Sequence, residues 1–206
     1  MPISNPNGVF RPLNYGSSHG VQLGFPGKIQ ESKYLYQQFV PGFDMTIPIL
    51  YNPISEKLNT LPPVKYLPDE VSIYWFLGEK EKLGHTGYKK VITKISESAQ
   101  NHFTKLANEF GIATYCRIDT RVYCDSINDI ELFIDKEIEL QRINFIEINP
   151  LPTIRNGINF HTSFEAIEKD SDLGKCIKYY ADYFGTYSFV GFILSNSIIS
   201  LIKAMH

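Results

Sequence analysis

Arg117-Ile-Asp119-Thr-Arg-Val122 and Phe145-Ile-Glu147-Ile-Asn149-Pro-Leu-Pro152 are the two stretches on which the reading of this chain turns. Each alternates apolar and polar residues, the period of a β-strand with one face buried. Side chains two apart on a strand share a face, so Arg117 goes with Asp119 and Glu147 with Asn149. If the strands are neighbours, one face gathers a guanidinium, two carboxylates and an amide. A hydrophobic core does not accept that set unpaired, because each buried charge costs several kcal/mol. The oxygen-bearing groups suit a hard cation such as Mg²⁺, which takes one or two carboxylates and completes its shell with phosphate oxygens. Arg117 beside them would neutralise charge developing on a phosphoryl or acyl oxygen. A surface ion pair on a half-exposed sheet fits the same spacing, and spacing alone leaves both open.

Outward from these strands, Ala99, Phe103, Leu106, Ala107 and Phe110 fall at helical spacing, and Gly111 stands where a helix would stop. A strand is predicted over 113–124 and another over 143–148, joined by an acidic segment that is partly helical. Toward the N-terminus, short apolar runs at 9–10, 34–40 and 45–51 read as strands broken by turns such as Pro41-Gly42. A proline-rich connection over 61–68 leads to a predicted strand at 71–77 and an exposed loop at 78–87. Past a loop at 151–162, helices are predicted near 173–184 and 188–205. Strands mixed with a few helices define an α+β or mixed α/β domain.

The bulk properties exclude several classes. The chain has 206 residues with 43% hydrophobic and 20% charged, which is globular rather than disordered. Its formal net charge of −2 gives no general pull toward nucleic acid or anionic lipid. Three cysteines are present, none in a CxxC pair. Cys116 and Cys124 sit on one predicted strand, roughly 26 Å apart and far beyond disulfide reach. Free thiols in a reducing cytoplasm are therefore expected. The polar opening of the chain is not a signal peptide. The one membrane-like segment, 187–204, is interrupted by Ser195, Asn196, Ser197 and Ser200, and reads as a buried helix. A membrane-anchored protein using this helix is the competing reading.

The two strand motifs resemble the metal-site strands of the D-alanine–D-alanine ligases, a family of the ATP-grasp superfamily, whose pattern is R-x-D followed by E-x-N and a nearby proline. The resemblance implies that Asp119, Glu147 and Asn149 hold magnesium or manganese and that Arg117 stabilises the reacting centre. Arg11-Pro-Leu-Asn-Tyr-Gly16-Ser17-Ser18-His19-Gly20 is similar to the family's K-P-x-x-E-G-S-S-x-G loop. Glycines there let backbone N–H groups approach a phosphate, and serines add hydroxyl donors. Val64-Lys65-Tyr66-Leu67-Pro68-Asp69 looks like the family's mobile K-Y-L-S-D loop, which implies that Lys65 reaches nucleotide phosphate and that Tyr66 joins Ser17 over the substrate. Gln37-Gln-Phe39-Val40-Pro-Gly42-Phe-Asp44 resembles the adenine hinge E-K-x-L-x-G-x-E, with Asp44 inheriting the ribose role. The resemblance thus assigns catalysis to Arg117, Lys65, Tyr66 and Ser17, and nucleotide binding to Arg11, Ser18, Gln37, Phe39 and Asp44.

The likeness spans nearly the whole chain but starts inside the family's pattern, without its N-terminal substrate domain and most of its small lobe. Arg11, Tyr15 and Gln37 replace a lysine and two glutamates, and an acidic insertion lies around 129–141. The expected fold is an α+β, ATP-grasp-like domain with a mixed or antiparallel sheet flanked by helices. Residues 1–40 would be the remnant of the small lobe and 41–206 the large lobe. The expected activity is amide formation through an acyl phosphate, using ATP with Mg²⁺ or Mn²⁺, in the cytoplasm. Partners would be nucleotide and small carboxylate and amine substrates, with no nucleic acid and no membrane. A homodimer or a separate substrate-domain partner is also anticipated. The competing expectation is an inactive or partial ATP-grasp domain serving as a scaffold.

Overall fold

The computed structural model describes residues 8–14, 18–24, 33–52, 55–84, 87–133 and 136–150, and the single positions 167, 171 and 174. The helices expected near 173–184 and 188–205, together with Tyr15, Ser17, Thr153 and His161, lie outside the described residues.

Among the described residues, strands form two antiparallel sheets. The smaller joins β1 (Gly8–Pro12), β2 (Gln22–Leu23) and β3 (Tyr34–Gln38) in the order β2-β1-β3. The larger contains β4 (Gly42–Asn52), β5 (Lys57–Thr60), β6 (Val64–Pro68), β7 (Tyr88–Ile92), β8 (Tyr115–Tyr123) and β9 (Ile143–Asn149). Its order is β7-β6-β4-β8-β9, with β5 paired to the far end of β4. Among the described residues three α-helices accompany it: α1 (Glu79–Gly84), α2 (Glu97–Glu109) and α3 (Ile127–Leu132). The architecture is α+β with antiparallel sheets and few helices.

The pleat of the large sheet divides its residues between a core face and an open face. Phe43, Met45, Ile47 and Ile49 of β4 point into the core with Cys116, Ile118 and Val122 of β8. The helix α2 covers that face with Ala99, Phe103 and Ala107, four residues apart and so on one stripe. Its start is fixed by the Ser96 side chain, which accepts from the Ala99 N–H at 3.4 Å. It ends before Gly111, whose φ of +71° suits glycine. Cys116 and Cys124 are both buried free thiols, and burial pushes each up to about 12.

Three local expectations are corrected. The segment 71–77 forms no strand, because its polar groups are drawn elsewhere: the Ile73 and Trp75 carbonyls accept from Arg121, and the Leu77 N–H donates to Asp44. The stretch 78–87 is not simply loop, since it carries α1. Residues 64–68, read as a mobile loop, are the fully buried strand β6, paired to β4 on one side and β7 on the other.

Candidate functional site

The open face of the large sheet and the small sheet enclose a cavity of about 710 Å³. Its floor follows from strand parity. Asp44 and Thr46 of β4, Tyr66 of β6, and Arg117, Asp119 and Arg121 of β8 all line it, while their alternating neighbours fill the core.

The strands β8 and β9 are adjacent, with Arg117 opposite Asn149 and Asp119 opposite Glu147. Opposed residues share a face, so the four polar groups converge. A bulge makes this face larger than simple alternation allows. Thr120 pairs with Phe145 while Asp119 pairs with Glu147, leaving Ile146 as the extra residue. That extra residue shifts the phase, so Asn144 faces the cavity with Arg121 as Glu147 does with Asp119.

Asp119 is the hub of the floor. Arg117 donates to it through Nε and Nη2, both at 2.8 Å, in a bidentate pair. Thr46 Oγ1 donates to Oδ1 at 2.9 Å and Asn149 Nδ2 to Oδ2 at 3.0 Å. Thr46 also meets the Tyr66 hydroxyl at 3.3 Å. Burial holds the Tyr66 phenol well above its usual range, so it stays protonated. Burial opposes the Arg117 charge, but the neighbouring Asp119 carboxylate outweighs it and raises Arg117 further.

The small sheet reaches across the cavity. Arg11 on β1 donates to Glu147 at 2.6 Å. Burial alone would raise the Glu147 carboxyl, yet hydrogen bonding and charge from Arg11, then Lys82 and Asn149, leave it lowered. Ser18 sits in the left-handed region at φ 61°, donates to the Leu77 carbonyl at 3.2 Å and accepts from Lys82 Nζ at 2.7 Å. His19 pairs with Glu79 of α1 at 2.6 Å. Gln37 and Phe39 also line the cavity, Phe39 buried and Gln37 partly so.

Two expected roles take a different form. Lys65 was expected on nucleotide phosphate, but it opposes Met45 in register and therefore sits on the core face. There it is 0% exposed and donates to the Phe133 carbonyl at 2.8 Å. Its neighbour Tyr66, one residue on, is the one that faces the cavity. Asp44 lines the cavity, but Arg121 Nη1 donates to its Oδ1 at 2.9 Å and the Leu77 N–H to its Oδ2 at 2.6 Å. Its carboxylate is thus engaged in holding Arg121 and the segment before α1.

Sequence reasoning missed three cavity cations. Lys82 on α1 was inside the expected exposed loop, and burial lowers its ammonium. Lys90 on β7 was unassigned, and burial pushes it down to about 8. Arg121 lay inside the quoted strand motif, two residues past Asp119, and continued alternation would have placed it on the same face. It donates to the carbonyls of Val40, Gly42, Ile73 and Trp75, and its guanidinium stacks 4.6 Å from the Phe39 ring centroid.

The donor set can be tested against a hard divalent ion. Asp119, Glu147 and the Asn149 amide supply the oxygen ligands such an ion prefers, leaving room for phosphate oxygens. The four hydrogen bonds to Asp119 use its lone pairs, and Glu147 is paired with Arg11, so an ion would enter by exchange. Among the described residues no group of three His, Cys, Asp or Glu side chains could hold a metal ion. Two carboxylates and one amide are what the described residues could offer a cation, the rest of whose shell a ligand would have to supply.

No family model matches the chain, and none of the curated proteins matches it. Solved structures do. D-alanyl-alanine synthetase A from Vibrio cholerae is 15% identical, with a TM-score of 0.48 over 84% of this chain and 51% of that one. The VanG D-Ala:D-Ser ligase from Enterococcus faecalis is 15% identical, with a TM-score of 0.46 over 86% and 50%. The ATP-grasp ligase PsnB, complexed with a minimal precursor, is 10% identical, with a TM-score of 0.47 over 84% and 47%. The chain spans about half the length of these proteins. Among the described residues no helix is long and apolar enough to cross a membrane.

Proposed function

We propose that this chain is the Mg-ATP-binding part of a carboxylate–amine ligase of the ATP-grasp type, similar to the D-alanine–D-alanine ligases. One observation carries the reading: neighbouring strands set Arg117 against Asn149 and Asp119 against Glu147 on the wall of one cavity. In the proposed reaction a substrate carboxylate oxygen attacks the terminal phosphorus of ATP, and ADP leaves. An amine nitrogen then attacks the acyl carbon, phosphate departs, and the nitrogen gives up a proton. Such chemistry asks the protein for positioning and charge neutralisation.

Asp119, Glu147 and Asn149 would hold the magnesium or manganese ion, which supplies charge neutralisation to the phosphate oxygens. Arg117 and Lys82 are the cations for the transferred phosphoryl group, with Arg11 and Ser18 on the small-sheet side. Lys82 takes the role that the sequence alone gave to Lys65. Gln37, Phe39 and Val40 form the wall for the nucleobase, kept in place by Arg121. Tyr66, which lines the cavity, keeps the substrate-side role that the resemblance implies for it. Calorimetry with Mg-ATP tests the proposal. Saturable binding is expected, at least tenfold weaker in Asp119→Asn with its fold intact. No binding at millimolar nucleotide would remove it.

A second reading is a nucleotide-binding scaffold without turnover. The burial of Lys65 in the core and the full engagement of Asp44 favour it. Phosphate release with D-alanine, then with other amino acids, separates the two. Turnover by the chain alone ends the scaffold reading.

A further inference from the structure

The cavity's charges are unevenly matched. Arg11 pairs with Glu147, Arg117 with Asp119, Arg121 with Asp44, and His19 with Glu79. Lys82 has the Ser18 hydroxyl, and its ammonium also feels Asp119, Asp44 and Glu147. Lys90 differs from all of these. It lines the cavity from β7, opposite Tyr66, and its one described contact is the Tyr88 ring, whose centroid lies 5.9 Å from Nζ. Among the described residues no carboxylate lies within ion-pair distance of it. Tyr88 packs against both Tyr66 and Trp75 beside it, an aromatic wall with no negative charge of its own.

Lys90 is partly buried, and an ammonium partly withdrawn from water without a counter-ion opposes folding. Lys89, next to it, is exposed and carries no such cost. The cation of Lys90 therefore stands open to a charge from outside the protein. On the strand path it stands three strand spacings from Asp119, about 14 Å across the sheet. A flexible lysine stem covers part of that span, so its partner reaches well past the metal strands.

We propose that Lys90 is an anion-binding residue of the cavity, receiving a carboxylate or phosphate group of the bound ligand at the β7 side. The proposal deepens the ligase reading and rests on it for the identity of the cavity. If the anion is the substrate's carboxylate, Lys90 selects an acidic substrate. If it is the terminal phosphate, Lys90 joins Lys82 as a second cation on it.

The test compares wild type, Lys90→Met and the charge control Lys89→Met. Calorimetry uses Mg-ATP, Mg-ADP, inorganic phosphate and L-glutamate as probes, and urea denaturation reports stability. Lys90→Met is expected to weaken at least one probe by roughly tenfold or more, the worth of a charge-assisted hydrogen bond. It is also expected to be more resistant to urea, because the uncompensated cation is gone. Lys89→Met should do neither. A selective loss for Mg-ATP over Mg-ADP identifies the terminal phosphate. A loss confined to L-glutamate identifies a carboxylate. If Lys90→Met binds every probe as wild type does, or gains no stability, the proposal is overturned. If wild type binds phosphate or glutamate through Lys90 but not Mg-ATP, the ligase reading fails while this site stands.

Discussion

Arg121 offers the sharpest test of how the floor is held. Its guanidinium makes five hydrogen bonds, Nε to Val40, Nη1 to Asp44 and Nη2 shared among Gly42, Ile73 and Trp75, and its side chain is 7% exposed. These partners come from the link after β3, the start of β4 and the irregular segment before α1. One cation therefore gathers three pieces of chain that share no other strand ladder. Arg121→Met keeps much of the stem's volume but removes every donor, leaving a nearly buried Asp44 and several carbonyls with weaker pairing. Removing one partner of a buried pair costs about 3–5 kcal/mol. Domains hold only about 5–15 kcal/mol in total, so the variant should lose about a fifth of its stability or more.

Urea denaturation followed by circular dichroism measures this. A double variant, Arg121→Met with Asp44→Leu, should recover part of the loss, because the stranded carboxylate goes with its partner. Arg121→Lys should fall near the single variant, since three donors on a point charge do not reproduce a planar fork. A loss under about 1 kcal/mol in Arg121→Met would refute the hub. So would a double variant no better than the sum of its parts.

Gly42 at φ +137° has the Val122 carbonyl 1.8 Å from where a Cβ would stand, so Gly42→Ala should fail to give stable folded protein by thermal melting. Lys65→Met should lower stability, because the Phe133 carbonyl loses its donor, while Mg-ATP affinity stays within about twofold. Mn²⁺ alone should bind weakly, at millimolar levels, and more tightly with ATP present. Electron paramagnetic resonance reads free Mn²⁺ directly, and submillimolar binding without nucleotide would contradict that expectation.

How far the sequence carried depends on the kind of signal. The strands β8 and β9 were legible because a charge pattern of period two survives in any local context, and no other element explains Arg117, Asp119, Glu147 and Asn149 together. The helix α2 was legible because Ala99, Phe103 and Ala107 mark one stripe. Lys65 went astray because a short local likeness, Lys-Tyr-Leu, outweighed strand parity. A strand period through Val64, Lys65, Tyr66 and Leu67 sets Lys65 beside Leu67 on one face, which the fold makes the core face. The segment 71–77 misled for a different reason. Its apolar residues have strand-like composition, but Arg121 captures its carbonyls, and a partner 46 to 48 residues away leaves no local trace. The bulge at Ile146 was equally silent, because alternation alone puts Asn144 and Glu147 on opposite faces.

A cavity whose acids are already paired is still consistent with a cation site, because its pairs can be exchanged together. A bare divalent ion taking Asp119 and Glu147 would leave Arg117 and Arg11 as partly buried cations without partners, at a cost that offsets the gain. On the proposed reading, a triphosphate arriving with the ion would change the balance. Its oxygens would accept from the two displaced guanidinium groups, which suit phosphate by geometry, while the carboxylates would hold the metal. Every charge would then keep a partner, and Lys82 would gain one that its hydroxyl neighbour cannot replace. Coupling of metal to nucleotide would then rest on the arginines as much as on the acids.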